Sequence, residues 1–357
     1  MANGLTSPSR VGLVEGNSDN NELFLKKFSG EILQTFEESN IFKPLHTIRT
    51  IDSGKSAQFP VTGIATANYH TPGENIAEQG GSPDKYLSDI AKTEKIITID
   101  KMLVASTFLA NIDDVKNHYD IRSVYANELG KALAVRFDTA IAKVFIAASR
   151  DSANLTQVGN TGGRYNVADG EFGTSNIVAG TPESVTGAEL VSAFFAAAQK
   201  LDENDVPSDG RFCVLRPQEY YKLVTGADSN NAFTLSASAA NKDVGGAGSL
   251  AAGNVPQIAG ISVFKSNHIP STDLSAVSTG DGSSANDVFG GSGVGYNGDF
   301  RNSLGLISHS AAVGTVKLLD LATESEYQIE RQGTLFVAKY AMGHGVLRPE
   351  CAIELVA

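Results

Sequence analysis

Cysteine, dense basic segments and long hydrophobic runs are all scarce in this 357-residue chain. Its two cysteines, Cys213 and Cys351, lie in apolar runs without CxxC spacing, which favours small buried thiols over a disulfide framework. Nowhere do about 18 apolar residues run together, and the first residues lack the basic and apolar regions of a secretory signal. We therefore expect synthesis in a cytoplasm and no membrane span.

The charge balance is acidic throughout the chain. Lysine and arginine number 28 against 40 acidic residues, giving a net charge of -12. Because no segment is rich in Lys and Arg, tight binding to phosphate backbones by counterion release is not expected. Glycine is abundant, with 36 residues, and concentrates with Ser and Asn at 151–185, 226–254 and 271–300, of which the last two are expected to be surface loops. The first of these segments is either a connector or an extended hairpin.

Three motif-like strings lack the context that their chemistry requires. GKS at 54–56 resembles the end of a P-loop, but Arg49 stands where that motif needs Gly, and a strand-like run follows instead of a helix. GVGYNG at 293–298 fits GxGxxG inside a Gly/Ser tract, without a strand before it or a helix after it. DGSSAND at 281–287 lacks the ordered spacing and terminal Glu of a calcium loop. None of the three strings predicts a binding site.

Metal-binding and catalytic patterns are also missing from the sequence. The six histidines show no metal-ligand spacing, and no GxSxG nucleophile elbow occurs. We therefore predict no catalytic, metal-binding or cofactor-binding residue, and no enzymatic activity.

The strongest helix signal covers about residues 120–149. Asp120 can cap this helix, and apolar residues recur at helical spacing through the whole range without proline. At about 1.5 Å per residue the helix would run roughly 40 Å, a length suited to a structural beam. A second amphipathic helix is predicted from Asp19 to about Glu38.

Helices and strands alternate irregularly in the second half of the chain. A capping box, Thr186 with Glu189, opens a helix that stops before Pro207, and Pro217 begins another helix. Further strands are predicted at 102–110, 211–215, 261–265, 313–319, 327–329, 334–342 and 352–356. This mixture predicts an α+β protein.

A long excursion separates two strand-like runs, residues 55–61 and 95–100. The 33 residues between them are rich in Gly, Pro, Asn and charge, and their apolar residues are too scattered to form a core. A two-stranded ribbon is marginally stable alone, so it needs a packing partner elsewhere. The pattern favours an assembly contact over a catalytic site.

Eight short sequence strings, spread in order over nearly the whole chain, resemble those of a known protein family. They are LFLKKFSGE (23–31), SGKSAQFPV (53–61), PGEN (72–75), TEKIITID (93–100), NHYD with RS (117–123), AVGTVKL (312–318), AKYAMGHG (338–345) and LRPE (347–350). Together they closely resemble the major capsid proteins of T7-like short-tailed phages, including those of cyanobacteria. The resemblance is weakest in the three loop segments named above.

This resemblance implies the tailed-phage capsid fold, named after phage HK97. Its expected parts are an N-terminal arm at 1–45, a P-domain strand at 46–59, an extended E-loop at 60–95, a P-domain with a spine helix at 96–185, an A-domain at 186–322 and C-terminal P-domain strands at 323–357. The residue patterns and the resemblance both predict the arm, the ribbon and the long helix.

The resemblance also implies a function. The expected protein self-assembles as hexamers and pentamers into an icosahedral shell, which encloses double-stranded DNA without sequence-specific binding. Expected partners are further copies of the chain and, during assembly, a scaffolding protein and a portal. The expected location is the virion capsid, after synthesis in the cytoplasm of a bacterial host, with no membrane partner.

Candidate inter-subunit contacts combine apolar and charged side chains. Hydrophobic burial under the arm and ribbon would supply affinity, and pairs of opposite charge would fix the register between neighbours. The candidates are Phe24, Phe28, Phe59, Glu74, Lys85, Lys92, Glu94 and Lys95. The alternative for any single charge is that it is simply solvated.

Two other classes of protein share some of these features. A secreted surface-layer protein, or another non-viral self-assembling structural protein, could have few cysteines and acidic, Gly/Asn-rich loops, but export would need a signal. A nucleotide-dependent enzyme could use GKS at 54–56, and nucleotide-dependent thermal stabilisation would support it.

Overall fold

The structure, a computed structural model, describes residues 41–65, 67–73, 76, 86, 90–99, 102–112, 121–154, 160–173, 185–225, 255, 257–273 and 298–357. The predicted helix from Asp19 to Glu38 lies outside these residues. The described strands are β1 (Thr47–Thr50), β2 (Ser56–Thr62), β3 (Lys92–Thr98), β4 (Leu103–Ala110), β5 (Gly163–Asn166), β6 (Glu171–Phe172), β7 (Arg211–Leu215), β8 (Gln257–Ile258), β9 (Ile261–Lys265), β10 (Ser303–His309), β11 (Val313–Gln328), β12 (Gly333–Val346) and β13 (Ala352–Val356). The longer helices are α1 (Ile121–Arg150), α2 (Gly187–Glu203) and α3 (Pro217–Thr225).

The larger sheet has seven strands in the order β6-β5-β13-β10-β7-β9-β8. The pairs β5/β13 and β7/β9 are parallel, and the other neighbours are antiparallel. Every residue of β7 and β13 is buried, as expected for strands covered on both faces. The structure confirms the strands predicted at 211–215, 261–265 and 352–356. In the segment at 151–185, β5 and β6 form a short hairpin, so the hairpin alternative holds there.

The smaller sheet has four strands in the order β1-β11-β12-β4, in which β11 and β12 form a long hairpin. The prediction of separate strands at 313–319 and 327–329 was wrong, because β11 runs without a break from Val313 to Gln328. After two register shifts between Lys317 and Ala322, the mostly polar residues from Ala322 onward pair through the backbone with β12, and apolar periodicity cannot reveal this kind of pairing. The boundary expected between residues 322 and 323 falls inside β11, and the strands of 323–357 are divided between the two sheets.

Helix α1 packs against strands of both sheets and confirms the long helix predicted at 120–149. Its 30 residues correspond to about 45 Å of helix. Phe145 contacts Phe212 of the larger sheet edge to face at 5.4 Å, and Phe137 contacts Tyr340 of the smaller sheet at 6.3 Å. The helix therefore holds the two sheets together through one apolar core.

The starts of the other two helices match the sequence signals. Glu189 N donates to Thr186 Oγ1 at 3.3 Å, and Thr186 N donates to Glu189 Oε2 at 2.8 Å, so the predicted capping box is confirmed. Pro217 is the first residue of α3, also as predicted. Within the described ranges, no helix combines the length and apolar character needed to cross a membrane.

A buried carboxylate joins α1 to the centre of the larger sheet. Glu354 of β13 is fully buried and accepts two hydrogen bonds from Arg150, at 2.6 and 2.8 Å. Arg164 Nε donates to it at 3.0 Å, and Ser303 Oγ is a further donor. The desolvated charge is thus matched by two guanidinium groups and a hydroxyl.

Candidate functional site

Strands β2 and β3 form a two-stranded ribbon that belongs to neither large sheet. They pair antiparallel from Ser56↔Thr98 to Thr62↔Lys92, and Gly63 N continues the ladder by donating to Ala91 O at 2.8 Å. The ribbon confirms the two predicted strand runs, but β3 begins at Lys92, three residues before the prediction. We use "ribbon" for residues 56–63 and 91–98 together.

The ribbon is held at its root by a small apolar cluster. Ala57 of β2 and Ile97 of β3 are directly opposite each other and pack with Val316 and Leu347 of the body. All four are buried. This cluster supplies the packing that a free two-stranded ribbon lacks.

Three glycines of the β11–β12 hairpin let the root approach the sheet closely. A Cβ at Gly343 would lie 2.1 Å from the carbonyl oxygen of Thr98, and a Cβ at Gly345 would lie 2.8 Å from a side-chain carbon of Ile97. A Cβ at Gly314 would meet Leu347 at 2.7 Å. We call these three residues the glycine platform. Any side chain there would occupy the space that β3 or Leu347 now fills.

Above the root, the inner face of the ribbon contacts the same chain through polar groups. Arg49 of β1 lies over the Phe59 ring, 5.5 Å from its centroid, and Arg49 Nη1 donates to Gln58 O at 3.0 Å. Lys95 Nζ lies 3.6 Å from Asp151 Oδ2, just beyond α1. These contacts fix the direction in which the ribbon leaves the body.

The outer face of the ribbon is exposed. Lys92, Glu94 and Ile96 alternate along it, and Ile96 leaves 53% of its surface accessible. Gln58 and Pro60 lie opposite Ile96 and Glu94 on this face. A β-branched apolar residue flanked by charge of both signs suits a contact with a matching surface.

Beyond the ribbon, the described part of the excursion also exposes large apolar side chains. Tyr69 is fully exposed, and Ile64, Ile76 and Ile90 are each about half exposed. Residues 70 and 71 contact Tyr86 within this excursion: Thr71 N donates to Tyr86 Oη at 3.0 Å, and the His70 and Tyr86 ring centroids lie 5.2 Å apart. These apolar residues were not among the predicted contacts, although isolated Ile and Tyr in an otherwise polar segment are a usable signal.

A groove of about 440 Å³ runs between the ribbon and the body. Phe59, Val61 and Ile64 line it from the ribbon side, and Asn160, Asp205 and Arg348 are among the residues that line it from the body. Part of the ribbon therefore faces open space rather than the packed surface of its own subunit.

A second exposed projection is the tip of the β11–β12 hairpin. Ile329, in the 3₁₀ turn at the tip, leaves 74% of its surface accessible, and Tyr327 is half exposed. Gln332 closes the turn in the left-handed region, with φ 51°. The molecule therefore presents apolar side chains at two protruding hairpins.

Comparisons with known proteins identify the family of this chain. A model of the family described as Gp10A-like major capsid protein matches residues 58–356. The chain is 32% identical to the major capsid protein of Escherichia phage T7, over 99% of this chain and 98% of that relative. It is 33% identical to the major capsid protein of Enterobacteria phage T3, over 100% and 98% of the two chains. The chain belongs to this family of major capsid proteins.

Solved structures agree with this assignment. The capsid structure of the cyanophage P-SCSP1u matches with a TM-score of 0.75 and 38% identity over 98% of both chains. The mature capsid of bacteriophage PhiM1 matches in fold, with a TM-score of 0.67 and 19% identity over 98% of this chain and 96% of that chain. The expected α+β, HK97-like capsid fold is confirmed. This major capsid protein is a structural component of a phage virion, and the comparisons give no support to the non-viral alternative.

The candidate contact residues of the capsid protein fall into three groups. Phe24, Phe28, Glu74 and Lys85 lie outside the described residues. Lys92 and Glu94 lie together on the exposed outer face of the ribbon. Phe59 and Lys95 lie on its inner face, where Arg49 and Asp151 of the same chain already contact them. All eight remain predictions as inter-subunit contacts.

Of the motif-like strings in the capsid protein, only GKS lies wholly among the described residues, whereas 281–287 and all of 293–298 except Gly298 lie outside them. Ser56 of GKS opens strand β2 rather than a helix, and Lys55 is exposed. Both cysteines are buried, and burial raises the pKa of the Cys351 thiol to about 11 and also raises that of Cys213. Within the described part of the chain, no three His, Cys, Asp or Glu side chains are grouped to hold a metal ion.

Proposed function

We propose that this capsid protein assembles as hexamers and pentamers into a closed icosahedral shell around double-stranded DNA, and that the ribbon clasps a neighbouring subunit. The exposed outer face of the ribbon, on a root anchored by the glycine platform, is the observation that carries the proposal. The scheme of N-terminal arm (1–45), E-loop (60–95), P-domain and A-domain (186–322) is part of it. The role is structural, without catalysis.

Anchoring at one end and exposure at the other support a clasp. The root fixes the ribbon direction through buried side chains, so little conformational freedom is lost when its far half meets a neighbour. Exposed Ile96, Ile64 and Tyr69 would then be buried against a second copy, and Lys92 and Glu94 would set the register by opposite-sign pairing. Many such weak contacts, repeated by symmetry, close a shell.

The decisive experiment removes the excursion beyond the ribbon without touching the ribbon or its root. Because Gly63 N donates to Ala91 O, residues 64–90 can be replaced by Asn-Gly, a pair suited to a two-residue hairpin turn. We expect the variant to fold with the thermal stability of the full-length chain but to form no closed shells by electron microscopy. Normal closed shells from the shortened chain would refute a role in the clasp for the excursion beyond the ribbon.

A matched point variant separates contact from folding. Ile96→Lys changes only the exposed outer face and should reduce shell yield while leaving the unfolding temperature unchanged. Ser192→Lys, on the exposed face of α2, is the control and should assemble normally. Equal shell yields from the two variants would contradict a specific role for the outer face.

The net charge of -12 supports loose enclosure of DNA rather than tight binding, since an acidic wall repels phosphates. Strong, salt-sensitive DNA binding by purified capsomers would contradict this part. A scaffolding protein and a portal complete the proposed set of assembly partners.

A further inference from the structure

We propose that residues 41–46, the anchor segment, are an acid-sensitive latch that detaches from the body of the protein while both sheets remain folded. The segment precedes β1 and joins residues 1–40 to the body. It is held by one aromatic side chain, one buried carboxylate and a pair of buried histidines. This proposal does not depend on how the ribbon functions.

Phe42 is the apolar part of the latch. It is fully buried, and its ring lies 6.1 Å from that of Phe145 in α1. The segment turns sharply behind it, because Leu45 N donates to Phe42 O at 3.1 Å and His46 Nδ1 donates to the same oxygen at 2.6 Å. Releasing the segment therefore requires Phe42 to leave the core.

Asp138 of α1 is the charged part. It is fully buried, and its Oδ2 accepts from Ile41 N at 3.0 Å and lies 3.1 Å from Nδ1 of His268, in the loop after β9. Asp138 thus ties both the anchor segment and the loop after β9 to α1.

His46 and His344 are the groups that respond to acid. Both are buried and both contact the Phe137 ring, with centroid distances of 5.9 and 5.3 Å. His46 Nδ1 is used by Phe42 O, and His46 Nε2 has no hydrogen-bond partner among the described residues. His344 Nδ1 lies 2.8 Å from Thr315 Oγ1 of β11.

Charge on these two histidines is disfavoured while the segment is attached. Burial lowers the pKa of His46, partly offset by its hydrogen bond to Phe42 O and by Asp138. Burial, and then the charge of His46, lower the pKa of His344 to about 3. Among the described residues, the titratable groups in contact with the pair or with its partners include Asp138 from α1, His268 from the β9 loop and Tyr340 from β12, and Lys43 of the segment itself is exposed.

The direction of the pH effect follows from these environments. A histidine that is hydrated on release regains an ordinary pKa near 6.5 and takes up a proton below that pH. Each such histidine raises the ratio of released to attached segment about tenfold per pH unit below 6.5, until the pKa of the attached form is reached. Attachment is complete above pH 6.5 and weakens as the pH falls.

Hydrogen exchange on the full-length protein tests the latch. The reporters are the amides of Ile41 and Leu45, corrected for intrinsic exchange, with β10 (Ser303–His309) as the internal reference. We expect the opening of the reporters to increase at least tenfold between pH 7 and pH 4.5, while β10 stays protected. Parallel opening of β10 and the reporters would overturn the proposal, because it would indicate global unfolding.

Neutral variants identify the responsible groups. His46→Gln and His344→Gln cannot take up a proton, and each should reduce the acid response, with the double variant losing it. His70→Gln is the control, since the His70 ring contacts Tyr86 in the excursion, outside the anchor segment, its contacts and β10. An unchanged acid response in both single variants would refute the assignment, and if one fails to fold, the other and the wild-type profile still decide.

Discussion

Replacing Gly343 by alanine tests whether the glycine platform holds the ribbon. The new Cβ would lie 2.1 Å from Thr98 O and 2.9 Å from the Cα atom of Ile99. Both are backbone atoms, so the overlap cannot be relieved by rotating a side chain. Strand β3 must move away from the sheet, or the sheet must bend.

The size of the effect follows from what that movement exposes. Forcing an extra methyl group into a packed site costs about 1–3 kcal/mol. Lifting β3 away would instead expose Ile97, which is now 3% accessible, and losing its burial costs about 1.5–3 kcal/mol. Either route predicts a loss of about 1–3 kcal/mol in the free energy of ribbon attachment, equivalent to about a 5- to 150-fold larger opening constant.

Hydrogen exchange at β3 measures this constant, again with β10 as the internal reference. Gly345→Ala should have a smaller effect, because its Cβ would meet side-chain atoms of Ile97 that can shift. Gly173→Ala should have none, because no atom of the described residues lies within 4 Å of its Cβ position. Unchanged protection of β3 in a folded Gly343→Ala protein would refute the platform, and so would equal loss of protection in β3 and β10.

Three further predictions concern the body. Glu354→Gln should lower the free energy of unfolding by about 2–4 kcal/mol, because it leaves two guanidinium groups without their buried charged partner. Lys200→Ala is the control: it removes a surface ion pair with a 3.9 Å separation and should change the free energy of unfolding by less than about 0.5 kcal/mol. Urea unfolding measures both variants. Ala259 and the following glycine form the two-residue turn between β8 and β9, with φ of 50° and 77°. Because Asn adopts positive φ more readily than Ala, Ala259→Asn should stabilise the protein by about 0.5–1 kcal/mol. A lower melting temperature would contradict the turn assignment. Burial, and then the charge of Arg136, lower the pKa of Lys143 to about 8. The free energy of unfolding should therefore rise between pH 8 and 10.5, where the unfolded chain binds more protons than the folded chain. Lys143→Met should remove that rise and increase the free energy of unfolding at pH 7 by about 1–3 kcal/mol, and an unchanged pH profile would contradict the prediction.

Elements with a strong local pattern could be predicted from the sequence. The apolar run at Arg211–Leu215, the capping box at Thr186 and the helical spacing that became α1 all encode their structure within a few residues. Strand β10 was not identified. Its sequence includes Ser303, Gly305 and Ser308, which have low β propensity. The strand is stabilised instead by backbone pairing with β7 on one side and β13 on the other, which a local pattern does not show.

The ribbon illustrates the same limit at the functional site. Its two strands and its need for an outside partner follow from composition, whereas the face on which each side chain lies depends on the register. Phe59 and Lys95 were expected at a neighbour, but alternation places them on the inner face, where Arg49 and Asp151 contact them. Glycines 343 and 345 were visible only as part of a family string, because no sequence pattern states which backbone will lie against a glycine.

Strand β12 contributes to both attachment sites, the root of the ribbon and the cluster that holds the anchor segment, because its successive residues lie on opposite faces of the sheet. Gly343 and Gly345 point to the ribbon, while His344 between them points to Phe137 on the opposite face and contacts Thr315 of β11. A one-residue slip in the β11–β12 register would place the imidazole under β3 and a glycine against α1, and so would abolish the ribbon root and the anchor cluster together. The long hairpin protects against such a slip, because each additional cross-strand pair adds to the cost of the wrong register. Its length therefore serves the alignment of the two attachment sites as well as the projection of its tip.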